Sequence, residues 1–132
     1  MEAKLLNGIA LAYMGDACFD LIVREHLLQA GITKPQELQR RAVQFVSAKA
    51  QNKIVQTLIE MEQLTPDEYD IYRRGRNAQS HTKPKNCDVQ TYRRSTGFEA
   101  IFGYLYLTEQ TQRLQILGQK AIEIIESGEN NE

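Results

Sequence analysis

The sequence is short of several things, and each shortage removes a class of function. It has two cysteines, Cys18 and Cys87, far apart and outside any C-x-x-C pair. Neither a disulfide framework nor a dithiol redox motif fits, and both read as reduced thiols. Two histidines, His26 and His81, with no Cys/His cluster argue against zinc, and neither stands in a local nucleophile signature. Any metal would be a hard, oxygen-ligated one. The longest uncharged stretch, Leu5 to Gly15, is well under the ~20 apolar residues of a spanning helix and contains Asn7, so no membrane segment is expected. The N-terminal run balances Lys4 with Glu2 and lacks a clean apolar core, which argues against a secretory signal and predicts a cytoplasmic protein. There is no glycine-rich phosphate loop, so neither an NTPase nor a nucleotide cofactor is expected.

What is present is ordinary globular material: 132 residues, 42% hydrophobic and 25% charged. A chain of this size buries roughly two-thirds of its unfolded surface and is stable without staples, so residues 1–132 are read as one domain. The net charge of −1 hides an uneven distribution. Between Tyr72 and Arg94 stand Arg73, Arg74, Arg76, Lys83, Lys85, Arg93 and Arg94 against the single acid Asp88, a local +6 inside a remainder of −7. Taken alone a charge run is usually a solvated face, but this asymmetry favours an anionic partner. Only Tyr72 and Tyr92 interleave it, which disfavours a single-strand stacking platform and favours contacts to a duplex backbone.

Periodicity and caps predict an all-α bundle. A helix is expected over residues 8 to 29, capped by Asn7 and stopped by Gly31, and apolar on most of its circumference. A capping box at Thr33–Gln36 opens a second from about Lys34 into the forties. Ser47 caps a third over Ala48 to Glu62, with Ile54, Leu58 and Met61 on one stripe. Thr65–Glu68 repeats the box and opens a fourth that Gly75 should terminate. From Arg76 to Cys87 an exposed loop is expected. Asp88 then caps a fifth helix running from Val89 through an end that is apolar all round, and a sixth covers about Thr111 to Ser127. Residues 127–132 are read as a frayed tail.

The residues able to carry chemistry are acids on apolar helices. Asp16 shares the first helix with Ile9, Ala12, Tyr13, Phe19 and Val23, where an ionised group needs a helix end, a base or a cation as partner. It is either a satisfied acid joining two helices or a functional one. Asp20, one turn on, is read as pointing outward. Glu99 repeats the puzzle among Thr96, Phe98, Phe102 and Gly103, with a salt bridge to Arg94 or to another helix as the plain alternative. Two such acids on facing helices suit Mg²⁺, which keeps several waters and takes one or two carboxylates plus substrate phosphate. Gly15 and Gly103 would let backbones or substrate come close, or mark a tight helix crossing.

With these residues in view, LAYMGDACFDLIVREHLL resembles the signature helix of the ribonuclease III catalytic domain, and STGFEAIFGYLYL resembles that domain's second acidic helix. The segment between them, from Arg73 to Ala100, is similar to the Mini-III type of that family. The likeness runs from about Leu6 to Leu117. It implies an all-helical, Mg²⁺-dependent endoribonuclease cutting double-stranded RNA as a homodimer, with no double-stranded-RNA-binding domain, and a role in maturing the 23S precursor of large-subunit ribosomal RNA. It places the catalytic and metal-binding acids at Asp16 and Glu99. Further acids of larger members fall on Ile9, Ala12 and Thr96, which implies a sparser ligand set completed by water. Arg73, Arg74, Arg76, Lys83, Lys85, Arg93 and Arg94 would hold phosphates. Two other readings compete: a catalytically silent RNA-binding or ribosome-assembly module on the same fold, and a helical adaptor for an acidic protein partner.

Overall fold

The computed structural model describes residues 1–78 and 87–130, and the described residues contain no strand. After a 3-10 turn at Ala3–Leu5 come six helices: α1 (Gly8–Gln29), α2 (Pro35–Val46), α3 (Ala48–Glu60), α4 (Pro66–Asn77), α5 (Val89–Leu107) and α6 (Thr111–Asn130). None of the described helices is long and apolar enough to cross a membrane.

Local chemistry sets most of the boundaries. The Asn7 side chain accepts from the Ala10 N–H at 2.8 Å, Ser47 from Ala50 at 3.2 Å, and Asp88 from Thr91 at 2.7 Å. Thr65 and Glu68 form the reciprocal capping box expected of them. Gly31, at φ +88°, lets the Ile32 N–H reach back to the Leu27 carbonyl and closes α1.

Four boundaries differ from expectation. The box at Thr33 does not form: proline takes the first helical position, where its fixed φ is favoured, so Lys34 becomes the cap and its side chain makes no bond there. Gly75 does not stop α4, which continues through Arg76 to Asn77. Its missing side chain serves packing instead, because a Cβ there would lie 2.8 Å from the Ala100 methyl and 2.9 Å from Gly97 Cα on α5. Met61 falls just beyond α3 and is exposed, so the stripe ends at Leu58. The last helix runs to Asn130, three residues beyond the Ser127 end expected for it.

The core is built around α5, which packs on α1, α4 and α3 and touches α6. From Ser95 to Leu105 it is buried on every side except at Glu99, the arrangement its all-round apolar end predicts. Phe19 of α1 meets Phe98 edge-on at 5.0 Å between ring centroids, and Phe102 completes the cluster. The first helix is less central than its composition suggests. Leu11, Gly15, Phe19 and Val23 face inward, while Tyr13 and Leu21 are 81% and 68% exposed.

Candidate active site

The site starts from a helix crossing that only glycine permits. A Cβ on Gly15 would overlap the carbonyl oxygen of Glu99, and one on Gly103 would overlap the carbonyl oxygen of Leu11. The two backbones therefore meet directly, and the residue after Gly15 lies beside Glu99. Gly15→Ala is expected to force α1 away from α5 at a cost of about 3 kcal/mol, the upper end of ordinary overpacking. It should also abolish activity in the fraction that stays folded, and thermal melting together with an assay well below the midpoint separates the two effects.

That crossing brings Asp16 within hydrogen-bonding reach of the Glu99 carboxyl. The juxtaposition agrees with the expectation for facing acids, with one correction. Asp16 is exposed, not interior, because α1 turns Gly15 inward and leaves Asp16 at the edge of the contact. Asp20 points outward as expected and pairs with Arg24 at 2.9 Å. Glu99 is half-buried, and its partner is not Arg94: the buried Gln51 of α3 donates from Nε2 to Glu99 Oε2 at 3.3 Å. Gln51 was not among the residues singled out from sequence. The signal was an amide on the core-facing stripe of α3, at helical spacing from Ile54 and Leu58.

Burial, and then the neighbouring Asp16 carboxyl, push Glu99 from its ordinary 4.5 up to about 9, against the opposing effect of the Gln51 amide. The pair of oxygens is therefore short of positive charge, and its donor chemistry fits a hard divalent cation. Among the described residues no third carboxylate, cysteine or histidine joins them. At the three positions where larger ribonucleases carry acids, Ile9 is partly exposed, Ala12 is buried, and the Thr96 hydroxyl donates to the Tyr92 carbonyl at 3.1 Å.

The raised Glu99 gives a pH prediction. Between the ordinary carboxyl value and about 9 the folded state binds a proton that the unfolded state has lost. Stability of chelator-treated protein should therefore fall as pH rises through that window. Glu99→Gln should remove this contribution, so its melting temperature should overtake the wild type's toward about pH 9. The same proton competes with a cation, and divalent-ion affinity should rise with pH over this range.

The basic residues gather where α4 ends and α5 begins. Arg73 and Arg93 are exposed. Arg76 lies 5.5 Å over the Tyr72 ring and bonds Asn77 through Nε at 3.2 Å. Burial pushes the Tyr72 phenol up, while nearby Arg76 and Arg94 pull it down, so both cations flank one ring. Arg74 is committed elsewhere, donating to the Leu6 carbonyl and tying α4 to the N-terminal segment. Lys83, Lys85 and His81 lie outside the described residues. Cys18 is buried, and burial pushes its thiol up, which suits a packing group.

A glycine-locked crossing that sets two carboxyls side by side on an all-helical core defines a class. The chain belongs to the ribonuclease III family, whose domain matches residues 9–110, and it is accordingly an endoribonuclease. More particularly, it is similar to the Mini-ribonuclease 3 of Enterococcus faecalis, 50% identical over 131 residues that cover 99% of this chain and 98% of that one. It is also similar to that of Streptococcus pneumoniae, 49% identical over 126 residues covering 96% and 98% respectively. A crystal structure of a Fusobacterium nucleatum protein superposes with a TM-score of 0.79 at 29% identity, covering 91% of this chain and 94% of that one.

Proposed function

We propose that this chain cleaves double-stranded RNA in a Mg²⁺-dependent reaction that leaves 5′-phosphate and 3′-hydroxyl ends, with large-subunit ribosomal RNA precursor as its cytoplasmic substrate. The observation that carries the reading is the Asp16–Glu99 pair, two carboxyls held together at the protein surface with no base between them among the described residues. Bound there, Mg²⁺ would lower the pKa of a water molecule and neutralise charge building on the scissile phosphate. Asp16 and Glu99 would hold and orient the ion. Their exposure on the Asp16 side leaves room for a phosphodiester to approach.

Arg73, Arg76, Arg93 and Arg94 supply positive charge for RNA phosphates at the α4–α5 end, with Lys83 and Lys85 added on sequence grounds and Arg74 contributing charge from its tied position. Phosphate contacts position a duplex without reading its sequence. Neutralising Arg73 or Arg93 with Gln should weaken RNA binding about equally across sequences. Each substitution should reduce the slope of log affinity against log salt by about one. A salt titration by fluorescence anisotropy measures both.

The chain acts as a homodimer in this reading. Tyr13 and Leu21 are exposed apolar side chains on α1, which a second copy would cover. Incubation of the protein with a defined RNA duplex and Mg²⁺, with both strands mapped, tests the proposal. Paired, staggered cuts are expected, and a duplex left intact would overturn it.

A further inference from the structure

Four polar or charged residues are fully buried among the described residues: Gln51, Glu68, Ser95 and Thr96. Three have partners that belong to the scaffold. Glu68 is held by Arg113 and by its own helix cap, and Ser95 and Thr96 donate to the Tyr92 carbonyl. Gln51 differs. It is 2% exposed on a helix face otherwise made of Ala50, Ile54, Val55 and Leu58, and its side-chain amide donates to Glu99. An amide at a core position loses hydration that an apolar residue would not miss, and the bond to Glu99 offsets that loss.

We infer that Gln51 is a positioning residue for the cation site, holding Glu99 Oε2 so that the carboxyl is presented toward Asp16. The inference rests on the reading that Asp16 and Glu99 bind a divalent ion. A neutral donor suits this task better than a charged one. Lysine or arginine at position 51 would neutralise Glu99 and compete with the cation, whereas an amide fixes the carboxylate and leaves its charge in place. With the acids of larger ribonucleases replaced by Ile9, Ala12 and Thr96, orientation of the remaining two carries more of the affinity. α3 thus joins α1 and α5 in building the site, although it supplies no acid to it.

Gln51→Met, which keeps length and flexibility but cannot donate, provides the test. Mn²⁺ titration of the RNA-free protein by electron paramagnetic resonance should show affinity weakened about 10- to 100-fold. The Mg²⁺ concentration for half-maximal cleavage should rise by a similar factor, while the KM for duplex RNA and the melting temperature in chelator stay unchanged. Mn²⁺ affinity within twofold of wild type would overturn the inference and leave the Asp16–Glu99 site standing. Wild-type protein that binds no Mn²⁺ would overturn both. A measurement on the wild type stands independently of how the variant folds: diamagnetic Mg²⁺ at saturating concentration should shift the Gln51 carboxamide proton resonances and slow their exchange with water. Gln51 carboxamide signals unmoved by Mg²⁺ levels that shift Asp16 would contradict the assignment.

Discussion

Asp16→Asn is expected to lower the rate of duplex RNA cleavage by at least about a thousandfold while leaving the fold and RNA binding intact. The size follows from the role proposed for the carboxylate. A cation that stabilises charge at the scissile phosphate contributes several kcal/mol to the transition state, and each 1.4 kcal/mol is about tenfold in rate. Asparagine keeps the shape of the side chain but removes the charge proposed to hold the ion. The fold should not suffer, because Asp16 is exposed and its nearest acidic neighbour is Glu99, whose proton affinity it raises. The asparagine carbonyl can still accept from the protonated Glu99 carboxyl, so the chelator-treated variant should be about as stable as wild type near neutral pH. RNA affinity in chelator should be unchanged, since the cations proposed to hold the duplex lie at the α4–α5 end. Wild-type activity in this variant would remove Asp16 from the chemistry.

Arg113→Met should be the most destabilising of the single substitutions considered, by about 3–5 kcal/mol. Arg113 of α6 donates from Nε to Glu68 Oε2 at 2.8 Å and from Nη2 to Glu68 Oε1 at 2.9 Å. The same Nη2 donates to the Gln63 carbonyl at 2.6 Å. Glu68 Oε1 also accepts from the Thr65 N–H at 2.9 Å. One guanidinium thus binds the α3–α4 turn, the start of α4 and the start of α6. Burial alone would raise Glu68, but Arg113 and the Thr65 N–H override it and hold the carboxyl below its ordinary value. The pair's contribution is therefore present above the ordinary carboxyl range and is lost as pH falls through the lowered value. In Arg113→Met the carboxylate would remain buried without its cation, which is where the large cost arises. The double variant Glu68→Met/Arg113→Met should recover much of the loss, because an apolar pair leaves no charge stranded. Urea denaturation of the two variants measures the difference, and a single variant within about 1 kcal/mol of wild type would contradict this assignment.

Much of the fold was legible because its helix ends carry side chains that bond their own backbones. Asn7, Ser47, Thr65 and Asp88 sit where such residues must sit, and their partners are within a few positions along the chain. The two acids were legible for a related reason: carboxyls on helices as apolar as α1 and α5 need a partner. What could not be read was anything decided by contact between distant segments. Gly75 looks like a helix stop by local rules, yet it lies inside α4 because α5 needs the space a side chain would fill. The Arg113–Glu68 and Gln51–Glu99 pairs join residues 45 and 48 positions apart, and no periodicity connects them. Asp16 was misplaced by one step around its helix: Gly15 forms the buried contact and its neighbour takes the surface. That step matters chemically, because an acid sealed in the core would offer no approach to a polymer.

The account depends on Asp16 and Glu99 binding one divalent ion jointly, each insufficient alone. Mn²⁺ binding followed by electron paramagnetic resonance on RNA-free wild type, Asp16→Asn and Glu99→Gln tests this without reference to cleavage. Tight binding in the wild type and its loss in both variants is the expected result. Undiminished binding in either variant would show that the two carboxyls do not share an ion.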